Sequence, residues 1–222
     1  MKEQFISLLY STKRNDIQDL INYLEETDFY NAPASANHHG NFEKGLLQHS
    51  LEVYYNFKFL CNNFDKNISE ESIIIISLLH DICKLGFYEL SKKSLPDKDD
   101  KGNLKLDKYG KKIWVEKEVY SINDNMPLGH GEKSVMVIQK YIKLTNEEIF
   151  AIRWHMMSYD DSSKSYAGNL ALTKSLELYS IISLIHCADL LSISHKIKKE
   201  DEDKNIKEIF YQTDKDLIED MM

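Results

Sequence analysis

His80 and Asp81 stand side by side in the run IIIISLLHDICK, where a helix of isoleucine and leucine would otherwise only continue to bury itself. A lone carboxylate in an apolar interior is among the costliest groups a chain can bury, so the pair needs a compensating charge. A metal ion supplies one. Four more residues offer ligand atoms beside apolar residues at helical spacing: His49 in GLLQHSLEVYYNF, His130 in PLGHGEKS, His155 in IRWHMM and Asp189 in LIHCADLL. Imidazoles mixed with carboxylates suit Mn, Fe, Co, Ni or Zn, whereas Ca and Mg favour all-oxygen surroundings. Six ligands exceed what one tetrahedral ion takes. They match two ions sharing one carboxylate, an arrangement that aligns and polarises a phosphoryl group for in-line attack.

A lone His, an adjacent His-Asp, two further His and a distant Asp follow one another in the order seen in the HD-domain metal-dependent phosphohydrolases, and the chain resembles their two-metal branch from about residue 37 to 195. The string HHGNFEKGLLQHS is similar to the stretch before the first ligand in bacterial HD-type exoribonucleases that trim RNA from its 3′ end. PLGHGEKSV followed by IRWHM is similar to small HD hydrolases of Firmicutes and their phages. The resemblance implies a single all-α domain over 1–222, an HD helical bundle. It also divides the ligands: His49, His80, Asp81 and Asp189 for one ion, and Asp81, His130 and His155 for the other. Asp81 would bridge the two divalent transition-metal ions and fix a bridging hydroxide that attacks phosphorus.

Three functions stay open. Two-metal relatives, among them cyclic-dinucleotide phosphodiesterases and CRISPR-associated HD nucleases, cleave diesters, so a phosphodiesterase acting on a nucleotide, cyclic dinucleotide or short nucleic acid is expected first. One-metal relatives remove terminal phosphates, which makes a nucleoside-monophosphate phosphatase the alternative, with His130 and His155 then lining the site without a second ion. A non-catalytic nucleotide-binding module is the third. Lys84 matches relatives with HD-x-x-K and reads as a catalytic, phosphate-binding cation, or as a lysine complementing a helix C-terminus. Arg153 reads as a substrate contact or a salt bridge, and His39 as a substrate contact or a solvated loop residue. His186, one turn before Asp189, is a partner to a ligand or plain core.

The rest of the chain bounds these readings. Its 222 residues suffice for one substantial core, and 42% hydrophobic with 29% charged residues is ordinary for a globular protein. A net charge of −8 argues against a surface that coats nucleic acid. Nine lysines against six acids between Ser91 and Glu118 nevertheless make that segment cationic. No 18-residue apolar run and no signal-peptide profile occurs, so no membrane partner and a cytoplasmic location are expected. Cys61, Cys83 and Cys187, odd in number and scattered through apolar stretches, read as reduced core residues.

To carry the ligands, the pattern predicts a first helix over 14–27 and a second from Leu46 to Leu60 with His49. A helix capped by Ser69 and running to residues 84–86 carries His80 and Asp81. A helix over 129–142 opens on His130, and a Thr145–Glu148 capping box opens the next, with His155. One long apolar helix over 172–193 carries Asp189, and a peripheral helix covers 204–222. Gly102 and Gly110, with β-branched and aromatic residues around them, predict a β-hairpin lid inserted over 87–123, whose Trp114 is a core residue or a stacking platform.

Overall fold

The computed structural model describes residues 1–36, 40–65 and 67–194. Among these the chain forms eight α-helices and one antiparallel hairpin. The helices are α1 (Lys2–Ser11), α2 (Ile17–Glu25), α3 (Gly45–Phe64), α4 (Glu70–Leu79), α5 (His130–Ile138), α6 (Asn146–Trp154), α7 (Tyr166–Leu178) and α8 (Ile181–Ser194), with strands β1 (Tyr88–Pro96) and β2 (Trp114–Ile122) between α4 and α5. His39, His195 and the helix expected over 204–222 lie outside the described residues.

α4 is apolar all round, and every residue from Ser72 to Leu79 is buried. Such a helix is stable only inside a bundle. α3 and α6 pack on it, α8 covers α3, and Phe5 and Leu9 of α1 complete one continuous core with Phe29, Phe57 and Phe59. Each fully buried Ile or Phe contributes about 1.5–3 kcal/mol.

The starts of α4 and α6 follow their capping sequences. Ser69 Oγ accepts from the Ser72 N–H at 3.1 Å. Thr145 Oγ1 accepts from the Glu148 N–H at 3.2 Å while Glu148 Oε2 accepts from the Thr145 N–H at 2.8 Å. Glu148 is fully buried, and its cost is met by Arg14, which approaches Oε1 at 2.8 Å and Oε2 at 3.2 Å, and by the Ser72 hydroxyl at 2.9 Å. Arg14 also donates to the Lys143 carbonyl and to Glu71.

Four expectations need correction, the simplest being that Cys187 is exposed and not a core residue. A helix precedes the expected first one, because Phe5 and Leu9 make an apolar pair at i, i+4 that docks on the core. α4 stops at Leu79, and Ile82–Lys84 form a 3₁₀ turn in place of another α-turn. The apolar segment over 172–193 is two helices bent by 103° at Tyr179 and Ser180, since Tyr179 is extended (φ −136°) and its ring stacks on Phe150. Among the described residues no single helix is long and apolar enough to cross a membrane.

The hairpin pairs Tyr88 with Ile122 through to Pro96 with Trp114. Beyond it, Asp99 and Asp107 each accept two backbone N–H groups, and Gly102 (φ +83°) and Gly110 (φ +78°) take the left-handed conformation these turns need. Phe87 and Tyr88 at its base face the helical body, whereas Trp114 is 59% exposed. Trp114 is therefore not a core residue.

Candidate metal centre

Five helices deliver the six predicted ligands to one place. His49 comes from the interior of α3 and Asp189 from α8. His80 is the residue that ends α4, with Asp81 next to it, and His155 is the residue that ends α6. His130 opens α5. Gly131 lets this first turn of α5 lie against α6, since a Cβ there would come within 2.1 Å of the Arg153 carbonyl oxygen. The His130 and His155 rings are consequently 5.5 Å apart.

His80 and His155 are fully buried, Asp81 is nearly so, and the same device orients both imidazoles. Each Nδ1–H donates to the carbonyl three residues back, His80 to Ser77 at 2.8 Å and His155 to Ile152 at 2.7 Å. Carbonyls at a helix end lack intrahelical donors, so the bonds satisfy the backbone and leave each Nε2 as a bare lone pair aimed at the centre. His155 Nε2 is buried with no hydrogen-bond partner. His49 is set similarly: the Ser192 hydroxyl donates to the Asp189 carbonyl at 2.6 Å and so accepts from His49 Nδ1 at 3.1 Å.

The spacings fit an ion. His49 Nε2 lies 3.3 Å from His80 Nε2, 3.4 Å from Asp81 Oδ2 and 3.2 Å from Asp189 Oδ1, and His80 Nε2 lies 3.5 Å from Asp81 Oδ2. Ligand atoms about 2.0–2.2 Å from a tetrahedral ion stand about 3.3–3.6 Å apart. Asp81 turns its other oxygen the opposite way, with Oδ1 2.7 Å from His130 Nε2 and 3.7 Å from His155 Nε2. Three groups of side chains in this cluster could hold a metal ion: His49, His80 and Asp81; His80, His155 and Asp189; and Asp81, Cys83 and His130.

Burial lowers the His80 imidazole, and burial together with the neighbouring His80 ring pushes His155 down to about 3, so both lone pairs are proton-free at neutral pH. Burial acts the same way on His49 but is outweighed by Asp189 and Asp81, which hold it at about 9. A proton there stands where a cation would. Burial also opposes the charge on His130, yet Cys83 and Asp81 raise it to about 10. For Asp81, burial is overcome by Lys84, His80 and His130, which keep its carboxyl well below the usual range.

Lys84 Nζ donates to Asp81 Oδ2 at 2.6 Å across the 3₁₀ turn. Burial would discharge the amine, but Asp81 holds its pKa above the ordinary value, so it remains a cation. Two cavities meet at Lys84, His130 and Met156. One of about 340 Å³ lies over His49, Asp81 and Asp189 with Tyr88 at its wall. The other, about 480 Å³, is bounded by Phe87, Lys133, Glu132, Tyr159 and Cys83.

Arg153 does not line either cavity. Its guanidinium is engaged by Asp160 at 2.6 Å, Ser162 at 2.6 Å and Glu132 at 2.5 Å, and stacks 3.8 Å over Trp154. Of its two readings, the salt bridge describes what it does here. His186 donates through Nδ1 to the His155 carbonyl at 2.7 Å and braces the end of α6. Sequence reasoning took Cys83 for a core residue alone and left Lys133, like Arg153, between a substrate contact and a salt bridge. The signals were faint: Cys83 follows Asp81 by two and Lys133 follows His130 by three, spacings that reach one site only when the turns are known. Comparison with protein-family models, with curated proteins and with solved structures returns no match.

Proposed function

We propose that this chain is an HD-type metal-dependent phosphohydrolase that binds two divalent transition-metal ions and cleaves a phosphodiester in a nucleotide or short nucleic acid. The observation that supports it best is the orientation of Asp81, whose Oδ2 faces His49 and His80 while Oδ1 faces His130 and His155. His49, His80, Asp81 and Asp189 would hold one ion, and Asp81, His130 and His155 the other. When bound, such ions polarise phosphoryl oxygens and acidify water. The all-α HD bundle and the role of the hairpin as a lid belong to the same proposal.

The remaining work falls to the chain. Lys84, held protonated by Asp81, places positive charge at the junction of the two cavities, where an anionic phosphoryl group would sit. It acts as an electrostatic clamp and not as a base, because its proton is held too tightly to be exchanged near neutrality. Lys133, whose Nζ is 2.7 Å from Asp124 and 5.1 Å from the centre of the Phe87 ring, adds a second cation on the wall of the larger cavity. Tyr88, Met156 and Ile193 border the ligand carboxylates and restrict water around them.

A second reading rests on a different contact. The 2.7 Å between His130 Nε2 and Asp81 Oδ1 is a direct hydrogen bond, shorter than the spacing of ligands around an ion. In a one-ion phosphomonoesterase His130 would keep its proton and donate it to the leaving oxygen. Metal analysis of purified protein, combined with Mn-supported hydrolysis of bis-p-nitrophenyl phosphate against p-nitrophenyl phosphate, separates the readings. Two ions per chain with diesterase activity support the first, and one ion with monoesterase activity the second. No turnover of either ester, or of mono-, cyclic di- and oligonucleotides, leaves a binding module.

A further inference from the structure

Cys83 differs from an ordinary buried cysteine. Cys61 lies within the apolar core of the bundle, where burial pushes its thiol up. Cys83 lies on the 3₁₀ turn two residues after Asp81, and its N–H donates to Ser134 Oγ of α5 at 3.2 Å, which pins the turn to the helix that His130 opens. Its Sγ is 3.3 Å from His130 Nδ1 and 3.5 Å from Nε2. Although only 2% exposed, it lines the 480 Å³ cavity beside Lys84 and His130.

Resting on the dinuclear reading above, we propose that Cys83 is a metal ligand, a thiolate that joins Asp81 Oδ1, His130 and His155 around the second ion. Three observations converge on this. A sulfur about 2.3 Å and a nitrogen about 2.0–2.1 Å from a tetrahedral ion stand about 3.5–3.6 Å apart, which matches the 3.5 Å between Cys83 Sγ and His130 Nε2. Asp81, Cys83 and His130 present ligand atoms that all lie within 4.8 Å of one another. Independently of the cysteine, His155 Nε2 is fully buried, has no partner and stands 3.7 Å from the same Asp81 oxygen. Two nitrogens, one oxygen and one sulfur make four donors.

The two positions would then differ in chemistry. The His49 side is built from nitrogen and oxygen alone, whereas the Cys83 side adds a soft donor. Soft donors favour zinc or ferrous iron over manganese or magnesium, so Cys83 selects the metal of the second position. On ligation the S–H proton leaves to solvent and the sulfur lone pair bonds the cation, with no change of oxidation state.

Cobalt(II) added to the full-length, metal-stripped chain tests this without reference to turnover. Two bound equivalents with an intense near-ultraviolet thiolate-to-cobalt charge-transfer band are expected. Cys83→Ser should abolish the band, whereas Cys61→Ala and Cys187→Ala should keep it. In Cys83→Ser the weaker zinc equivalent should loosen by on the order of 10–100-fold, while manganese affinity moves by no more than about threefold. Two cobalt ions bound without the band, or a band that survives Cys83→Ser, overturn the assignment and leave the dinuclear reading standing. A chain that binds no cobalt overturns both. Should Cys83→Ser fail to fold, zinc-edge X-ray absorption on the unaltered protein decides: a sulfur neighbour at about 2.3 Å supports the ligand, and only lighter neighbours near about 2.0 Å refute it.

Discussion

At their N-terminal ends α4 and α6 meet around Arg14 and Glu148, and at their C-terminal ends the same two helices meet around His80 and His155. Both ends bury polar groups between the same pair of helices, with opposite results. Around Glu148 each carboxylate oxygen has donors: Arg14 on both, Ser72 on Oε1, and the Thr145 N–H on Oε2. Around His80 and His155 the backbone is satisfied through Nδ1, while of the inward-facing Nε2 atoms His80's meets only the His49 ring at 3.3 Å and His155's has no partner. A closed polar network specifies a fold, whereas one left partly unsatisfied is costly and could be completed by a metal ion. The N-terminal cluster is structural for that reason, and the C-terminal cluster could hold a metal ion.

The comparison can be broken most severely at Asp81. Asp81→Asn should lower phosphohydrolase activity by about 10³-fold or more, equivalent to about 4 kcal/mol of transition-state stabilisation, and weaken both ions. Activity within tenfold of the unaltered protein would rule out a shared carboxylate. At the other end Glu148→Ala should cost about 3–5 kcal/mol by leaving Arg14 uncompensated, a fall of roughly 10 °C in calorimetry. Its folded fraction should bind as many ions as before, and a loss of metal there would show that the two ends are not separable.

Zinc or manganese at about 100 times its dissociation constant should stabilise the chelated protein by about 2.7 kcal/mol, and Glu148→Ala should gain the same increment from its lower starting point. His155→Leu removes a buried acceptor without a partner but also the Nδ1 donor of the Ile152 carbonyl, effects of similar size and opposite sign, so in chelator its stability should stay within about 1 kcal/mol of the parent while it binds metal less well. A variant destabilised by more than about 2 kcal/mol in urea titration would mean that the orphan nitrogen is satisfied in solution.

The gentlest test is pH. His49 is raised from 6.5 to about 9 by Asp189 and Asp81, so its contribution to the chelated protein is full below about 6.5 and fades as pH climbs through about 9. Metal binding displaces that proton, so affinity should rise over the same window. Parallel stability and metal titrations between pH 6 and 9.5 check both signs, and slopes of the same sign would exclude His49 as the shared site.

Much of this was readable from particular residues. The Thr145–Glu148 pair predicts a capping box and forms one, and Ser69 caps α4 as its sequence suggests. Of the six candidate ligands, His80, Asp81 and Asp189 stand out because they interrupt apolar runs. What local pattern missed has physical causes. α1 has only two buried apolar residues, a signal too weak without the core they dock on. The bend between α7 and α8 falls in an apolar stretch with no proline or glycine, and the Tyr179–Phe150 stack that accompanies it joins residues far apart in sequence. Arg153 offered two partners in principle, and only the proximity of Asp160, Ser162 and Glu132 selects between them.

The order and types of the ligands, the apolar helices that carry them and the caps that start those helices are properties of the chain itself, because each depends on neighbours within a few residues. Which nitrogen of each histidine faces inward, which oxygen of Asp81 serves which partners, and whether Cys83 meets His130 or the core were decided only when five helices came together. Those choices depend on distances of 3 to 4 Å between residues up to 140 positions apart, as in His49 and Asp189 at 3.2 Å, and no local propensity reaches that far.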